Sequence, residues 1–335
     1  MRAMVITHNC SLLEQQQPLE LVELPRPEPG PGEIRLRVAA CGVCHTELDE
    51  IEGRTPPPRL PVVPGHEVVG RVERLGPGAG RFQLGERVGV GWIHHGSGAP
   101  DENIDPGFRA TGRDVDGGYA EYMCVPQDYA YPIPGVFSDL EAAPLLCAGG
   151  VGYRALMLSN LRDGDGLGLT GFGGSAHLVL QMVRHLYPHS PIAVFARDPQ
   201  ARAFALELGA DWAGDTGERA PEPLHAIIDT TPAWRPVVEA LANLRPGGRL
   251  VINAIRKESR DQEWLLRLRY EEHLWMEKEL KSVANITHWD LAEFLPLAAR
   301  IPLHPEVTPY PLEQANRALV ELKRGPVVGA KVLMI

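Results

Sequence analysis

Long apolar runs are missing from this 335-residue chain: no uninterrupted stretch approaches the roughly 18–20 residues that a bilayer span requires. Blocks of Lys and Arg are missing too. These two residue types number 33 against 43 Asp plus Glu, a formal charge of −10 at pH 7. The electrostatic footprint of a nucleic-acid binder is therefore not there. Cysteine is sparse, with five residues at 10, 41, 44, 124 and 147. An odd, scattered set in a long chain argues against a disulfide scaffold and directs attention to metal or catalytic use. The opening residues, Met1 to Thr7, carry one basic residue and no long apolar core, so a cytoplasmic protein without a signal peptide is expected. Repeats and low-complexity tracts are also lacking. What is present, 44% hydrophobic and 23% charged, is ordinary globular composition with length for about two domains.

Two textures divide the chain. Up to Pro134, short apolar alternations punctuated by Gly and Pro predict a β-rich domain, as at Ile34–Val38, Val68–Val72 and Tyr119–Val125. From Phe137, segments of helical length alternate with apolar runs at Leu167–Thr170, Ile192–Phe195, Ala226–Asp229 and Leu250–Asn253. That is the βαβ rhythm of a parallel sheet covered on both faces. Beyond Trp289 short pieces return and finish on an apolar strand, Ala330–Ile335. The expected organisation is a β-rich domain from residues 1–136 and 289–335, and a doubly wound α/β domain from 137–288.

The run after the strand at 167–170 is Gly171-Phe-Gly173-Gly174-Ser175-Ala176, leading into a helix over 177–184. This is the G-x-G-x-x-A form of the dinucleotide fingerprint. Gly171 permits the tight turn, Gly173 lets the backbone approach a pyrophosphate, and Ala176 allows close helix–strand packing. The helix N-terminus adds free N–H groups for the phosphates. The second strand ends in Ala196 and Arg197 instead of an acidic residue. A guanidinium there suits a 2′-phosphate and favours NADP(H), while the alternative leaves Arg197 solvated and gives Asp198 the ribose.

Three further segments carry metal-ligating side chains: Cys41-Gly-Val-Cys44-His45-Thr46-Glu47, Gly65-His66-Glu67 and Leu146-Cys147-Ala148. Two thiolates and an imidazole suit zinc with its fourth position open, the pattern of a catalytic site. Taken singly, a Cys or His is more often a packed residue.

Together these motifs resemble the medium-chain, zinc-dependent alcohol dehydrogenases, in particular the bacterial branch related to cinnamyl alcohol dehydrogenases. The likeness runs nearly end to end and includes Asp116-Gly-Gly-Tyr-Ala-Glu-Tyr122, Pro144–Gly149, Glu207–Gly214 and Ser282–Asn285. It implies a GroES-like catalytic domain and a Rossmann domain with the active site in the cleft between them. Catalytic zinc would rest on Cys44, His66 and Cys147, with Glu67 able to approach it. Thr46 would relay the substrate proton, with His45 and Asp49 beside it, and Asn285 would contact the cofactor. The implied reaction is hydride transfer between a nicotinamide cofactor and a primary alcohol or aldehyde, in a homodimer or homotetramer.

Several departures matter. The stretch Trp92–Arg113, where many relatives bind a structural zinc on four cysteines, contains none, so one zinc per chain is expected. His94 and His95 are read there as solvated. Glu47 replaces the usual Asp beside the zinc-bound histidine, and Asp49 replaces the histidine that often ends the proton relay. An Arg three residues past Asn285 is His288. Cys41 is read as packing, and Trp92 and Ile93 as pocket lining. The charged run 257–281 is expected to be helical, with Trp264, Leu265, Leu268 and Leu274 on or near one face. Two alternatives stay open at this level: a zinc-free quinone or enone reductase of the same superfamily, and a catalytically silent nucleotide-binding protein.

Overall fold

The structure, a computed structural model, describes residues 1–301, 303–325 and 329–335. It forms two compact units: Met1–Gly150 with Ile286–Arg300 and His304–Ile335, and Val151–Asn285 with Ile301–Leu303.

The first unit opens with β1 (Arg2–Ile6), β2 (Leu19–Glu23), β3 (Glu33–Val43), α1 (His45–Ile51) and β4 (Val68–Leu75). It continues through β5 (Arg87–Val90), β6 (Ile93–His95), β7 (Arg109–Ala110), β8 (Tyr122–Pro126), β9 (Ala130–Pro132) and α2 (Asp139–Ala142). The chain leaves this unit within α3 (Ala148–Ser159). The second unit then alternates β10 (Leu167–Thr170), α4 (Ala176–Leu186), β11 (Ile192–Phe195), α5 (Pro199–Glu207) and β12 (Trp212–Gly214). It is completed by β13 (Leu224–Asp229), α6 (Arg235–Asn243), β14 (Leu244–Ile252) and β15 (Glu279–Ser282). The return to the first unit supplies α7 (His288–Arg300), β16 (Val307–Pro311), α8 (Ala315–Arg324) and β17 (Ala330–Met334).

In the first unit the main sheet runs β16-β17-β3-β4-β5-β9, and β8 also pairs with β3. Its pairs are antiparallel except β16 with β17. Ile34, Leu36, Val38, Val68, Val72, Val88 and Val90 form a fully buried core. In the second unit the sheet is parallel throughout, in the order β12-β11-β10-β13-β14-β15. Counting strands from β10, that is 3-2-1-4-5-6, the dinucleotide-binding order. Every residue of β10 and β11 is buried, as a strand covered on both faces requires. Helix α6 places Val237, Ala240 and Leu241 on this sheet, and burial of each Val or Leu side chain contributes about 1.5–3 kcal/mol.

The units divide at Gly150, later than the change of texture at 136–137 suggests. The reason is packing: after α2, Leu146 lies against Gly89 of β5, and Leu291 and Ile286 lie against Gly91 and Gly150. Among the described residues no single helix is long and apolar enough to cross a membrane. One bent pair, Asp139–Leu146 and Ala148–Ser159, passes that test by length and composition only.

Candidate active site

Four side chains from three segments of the first unit converge. Cys44 sits at the junction of β3 and α1, His66 and Glu67 immediately precede β4, and Cys147 immediately precedes α3. One ligand atom from each lies within 4.8 Å of every other, and the two sulfurs are 4.0 Å apart. Gly65 makes the close approach possible. Its φ is +101°, and a Cβ there would stand 2.3 Å from the Tyr119 ring and 2.8 Å from the Cys41 sulfur. Only glycine satisfies both constraints.

Glu47, fully buried on the first turn of α1, aims the imidazole. Its Oε2 accepts the Cys44 N–H at 2.7 Å and its Oε1 meets His66 Nδ1 at 2.6 Å. His66 Nε2 is consequently left facing the cluster, buried and without a hydrogen-bond partner among the described residues. Trp92 packs edge-on to the same ring, centroids 5.0 Å apart.

The electrostatics mark a site that wants a cation. Burial, then the Cys44 sulfur, pushes the Glu67 carboxyl well above the ordinary carboxylate range. The Cys147 thiol is pushed well up, first by its hydrogen bond to Cys44. Cys44 itself is held well below the ordinary thiol value, first by that same bond and then through His66. An orphaned imidazole nitrogen, two thiols with part of their surface open and a buried carboxyl fit zinc, and fit a site that retains an open position.

The neighbouring candidates divide. Thr46 is buried, and its hydroxyl lies 3.6 Å from the Cys44 sulfur. His45 is exposed at the start of α1 and is not among the converging donors. Asp49 is buried but engaged elsewhere: its Oδ1 accepts from Arg54 Nε at 2.6 Å, with Nη2 at 2.5 Å. Cys41 is fully buried in β3, and burial raises its thiol well above the usual range. It is packing, outside the donor set.

In the second unit, Gly171 has φ +75°, and a Cβ there would come within 2.9 Å of Thr230 and Thr231. A Cβ at Gly173 would meet open space. Gly174 and Ser175 complete the turn, and α4 begins at Ala176 with no side-chain cap. The start of this helix, where His177 N and Leu178 N donate to the Gly173 and Ser175 carbonyls, is the end of its dipole that favours an anion. Ser175 Oγ accepts from Asn253 Nδ2 at 3.1 Å, a partner no motif announced. At the end of β11, Asp198 is committed to α5, accepting from Gln200 N at 3.0 Å. Arg197 is exposed. Asn285 is half-buried at the end of the second unit.

Two expectations need correction. His94 is buried, not solvated: its Nε2 meets the Cys124 carbonyl at 3.2 Å, and burial lowers its basicity. The segment 257–281 is not a regular helix. A 3-10 turn at Gln262–Arg267 and a π turn at Tyr270–Leu274 are followed by left-handed Met276 and Glu277. Trp264, Leu265 and Leu268 are half-buried, but Leu274 is exposed. The Asp261 carboxylate fixes the segment to α6 by accepting from Trp234 N and Arg235 N, each at 2.9 Å, which favours an irregular turn over a continuous helix.

Residues 30–135 match the alcohol dehydrogenase GroES-like domain. A probable alcohol dehydrogenase, AdhA, from Mycobacterium tuberculosis is 42% identical over 329 residues, 95% of this chain and 93% of that protein. An alcohol dehydrogenase of Geobacillus stearothermophilus is 32% identical over 337 residues, 96% of this chain and 97% of its own. Among solved structures, a cinnamyl alcohol dehydrogenase of Sorghum bicolor superposes with a TM-score of 0.83 at 24% identity, covering 99% of this chain and 97% of that one, a likeness of fold. With a GroES-like domain, a dinucleotide-binding sheet and full-length relatives of that activity, the chain belongs to the medium-chain alcohol dehydrogenase family and is a nicotinamide-dependent alcohol oxidoreductase.

Proposed function

We propose that the chain interconverts a primary alcohol and its aldehyde with NADP(H), using one zinc held by Cys44, His66 and Cys147, with Glu67 beside it. The observation that carries this reading is the buried His66 Nε2, oriented by Glu47 and left without a partner among two thiols and a carboxyl. Bound zinc supplies Lewis-acid polarisation, and bound nicotinamide supplies the redox chemistry. The chain's own part is orientation and proton handling. Thr46 receives the substrate hydroxyl proton. Because Arg54 engages the Asp49 carboxylate, Asp49 is a poor onward acceptor, and the proton held at the Thr46 hydroxyl leaves to water. His45 borders this path from the first position of α1, and Asn285 contributes a cofactor contact.

The preference for NADP(H) rests on the end of β11, where Asp198 is spent on a helix cap and Arg197 is exposed. Replacing Arg197 by Ala should lower kcat/KM for NADPH about tenfold and leave that for NADH nearly unchanged. Equal losses with both cofactors would remove Arg197 from the reading. Trp92 lies against His66, which suits an apolar or aryl substrate. We further infer a cytoplasmic homodimer or homotetramer. The edge strand β15 is exposed along its whole length, and sedimentation velocity would give the assembly.

A further inference from the structure

We propose that the buried ion pair between Asp229 and Lys257 is a clamp that sets the nucleotide-binding turn, which makes Lys257 a positioning residue for the cofactor. This rests on the nucleotide site lying at Gly171–Ala176.

Asp229 ends β13 and is fully buried, in parallel register with Thr170, the last residue of β10. Its Oδ1 accepts from the Thr170 hydroxyl at 2.5 Å, the Thr231 hydroxyl at 2.8 Å and Thr231 N at 3.2 Å. Its Oδ2 is paired with the Lys257 ammonium. Lys257 Nζ also donates to the Thr231 carbonyl at 2.7 Å and the Ala233 carbonyl at 3.2 Å. An ammonium has three protons, and all three are accounted for inside the protein. Lys257 therefore cannot act as a phosphate ligand without dismantling this network. Its work is to hold the loop at 229–233.

That loop is the wall against which the fingerprint turns. Thr230 donates twice to the Thr170 carbonyl, from N at 3.0 Å and from Oγ1 at 2.9 Å. The position of Gly171 leaves no room for a Cβ beside Thr230 and Thr231. The crest after β14 is tied in as well: Asn253 N donates to the Asp229 carbonyl at 2.7 Å, and Glu258 N to the Pro232 carbonyl at 2.7 Å. Asn253 in turn reaches Ser175 at the start of α4. One ion pair thus locks three strand ends around the turn, and a turn that is already ordered binds its ligand more tightly than one ordered on binding.

The test is a fluorescence titration of the purified zinc-loaded protein with NADPH, with steady-state kinetics on a reducible aldehyde. Lys257→Met and the charge-neutral double variant Asp229→Asn/Lys257→Met should each raise the NADPH Kd about tenfold or more. Their kcat at saturating cofactor should stay within about threefold of wild type, because nothing in the clamp belongs to the metal-ligating set. Thr170→Val, a milder change, should raise the Kd in the same direction, and Thr170→Ser should restore it. Wild-type Kd in the folded variants, or a loss confined to kcat, would overturn the clamp alone. Failure of the wild-type protein to bind either NADPH or NADH would overturn the nucleotide site and the clamp together.

Discussion

Glu47 holds two groups with one carboxylate, the Cys44 N–H on Oε2 and His66 Nδ1 on Oε1. Its side chain, one methylene longer than the aspartate that the resemblance leads one to expect, spans both. Glu47→Gln should weaken zinc binding by about 10–100-fold in competition with a chromophoric chelator; unchanged affinity would mean that the imidazole is held by its packing on Trp92. Cys44→Ser should abolish turnover while leaving the NADPH Kd within about twofold of wild type. Retained turnover would sink the metal site. Asp49→Asn should lower kcat by no more than about threefold, since Arg54 already engages that carboxylate; a far larger loss in kcat would restore Asp49 to the proton path. At this scale the converging donors Cys44, His66 and Cys147 were legible because their residue types sit in recognisable local strings. Arg54 and Asn253 were not, because each acts through a contact that only the folded backbone creates.

The stretch Trp92–Arg113, which contains no cysteine, is organised around a buried carboxylate. Glu102 is fully buried and accepts from Gly98 N at 2.8 Å, Tyr129 OH at 2.7 Å and His288 N at 2.6 Å. Three segments far apart in sequence thus meet on one carboxylate. Glu102→Gln should cost about 1.5–3 kcal/mol in urea unfolding, and a chelator should leave that difference unchanged. A chelator-dependent cost would mean that a metal holds this stretch after all. The absence of cysteine was readable, but the substitute was not, because its partners lie at 98, 129 and 288. The same limit applies to 257–281, where charge and apolar spacing suggested a helix. Asp261 and the left-handed pair at 276–277 impose an irregular path instead.

Across the whole molecule, the two textures foretold the parallel sheet of the second unit and the β-rich first unit. Strand positions such as Leu167–Thr170 and Ile192–Phe195 follow from continuous apolar runs between turns. The boundary at Gly150 did not follow, because Leu146 and Ile286 are assigned by packing and not by periodicity. The return of the chain is secured by Glu321 of α8. Its carboxyl is held at about 2, first by the Tyr310 hydroxyl of β16, then by Lys331 of β17 and by Arg317. A depressed carboxylate contributes its stability above the ordinary value of 4.5 and loses it as pH falls towards about 2. Tyr310→Phe should therefore cost stability in full at neutral pH and progressively less as pH falls from 4.5 towards about 2, where variant and wild type converge, as followed by urea unfolding monitored by circular dichroism. An equal loss at every pH would assign Tyr310 to packing alone.

A single catalytic zinc on Cys44, His66 and Cys147 can be counted by elemental analysis of the dialysed protein. About one zinc per chain is expected, removed by chelation together with aldehyde reduction while NADPH still binds. Fully active protein without zinc would contradict it and move the chain to the zinc-free reductases.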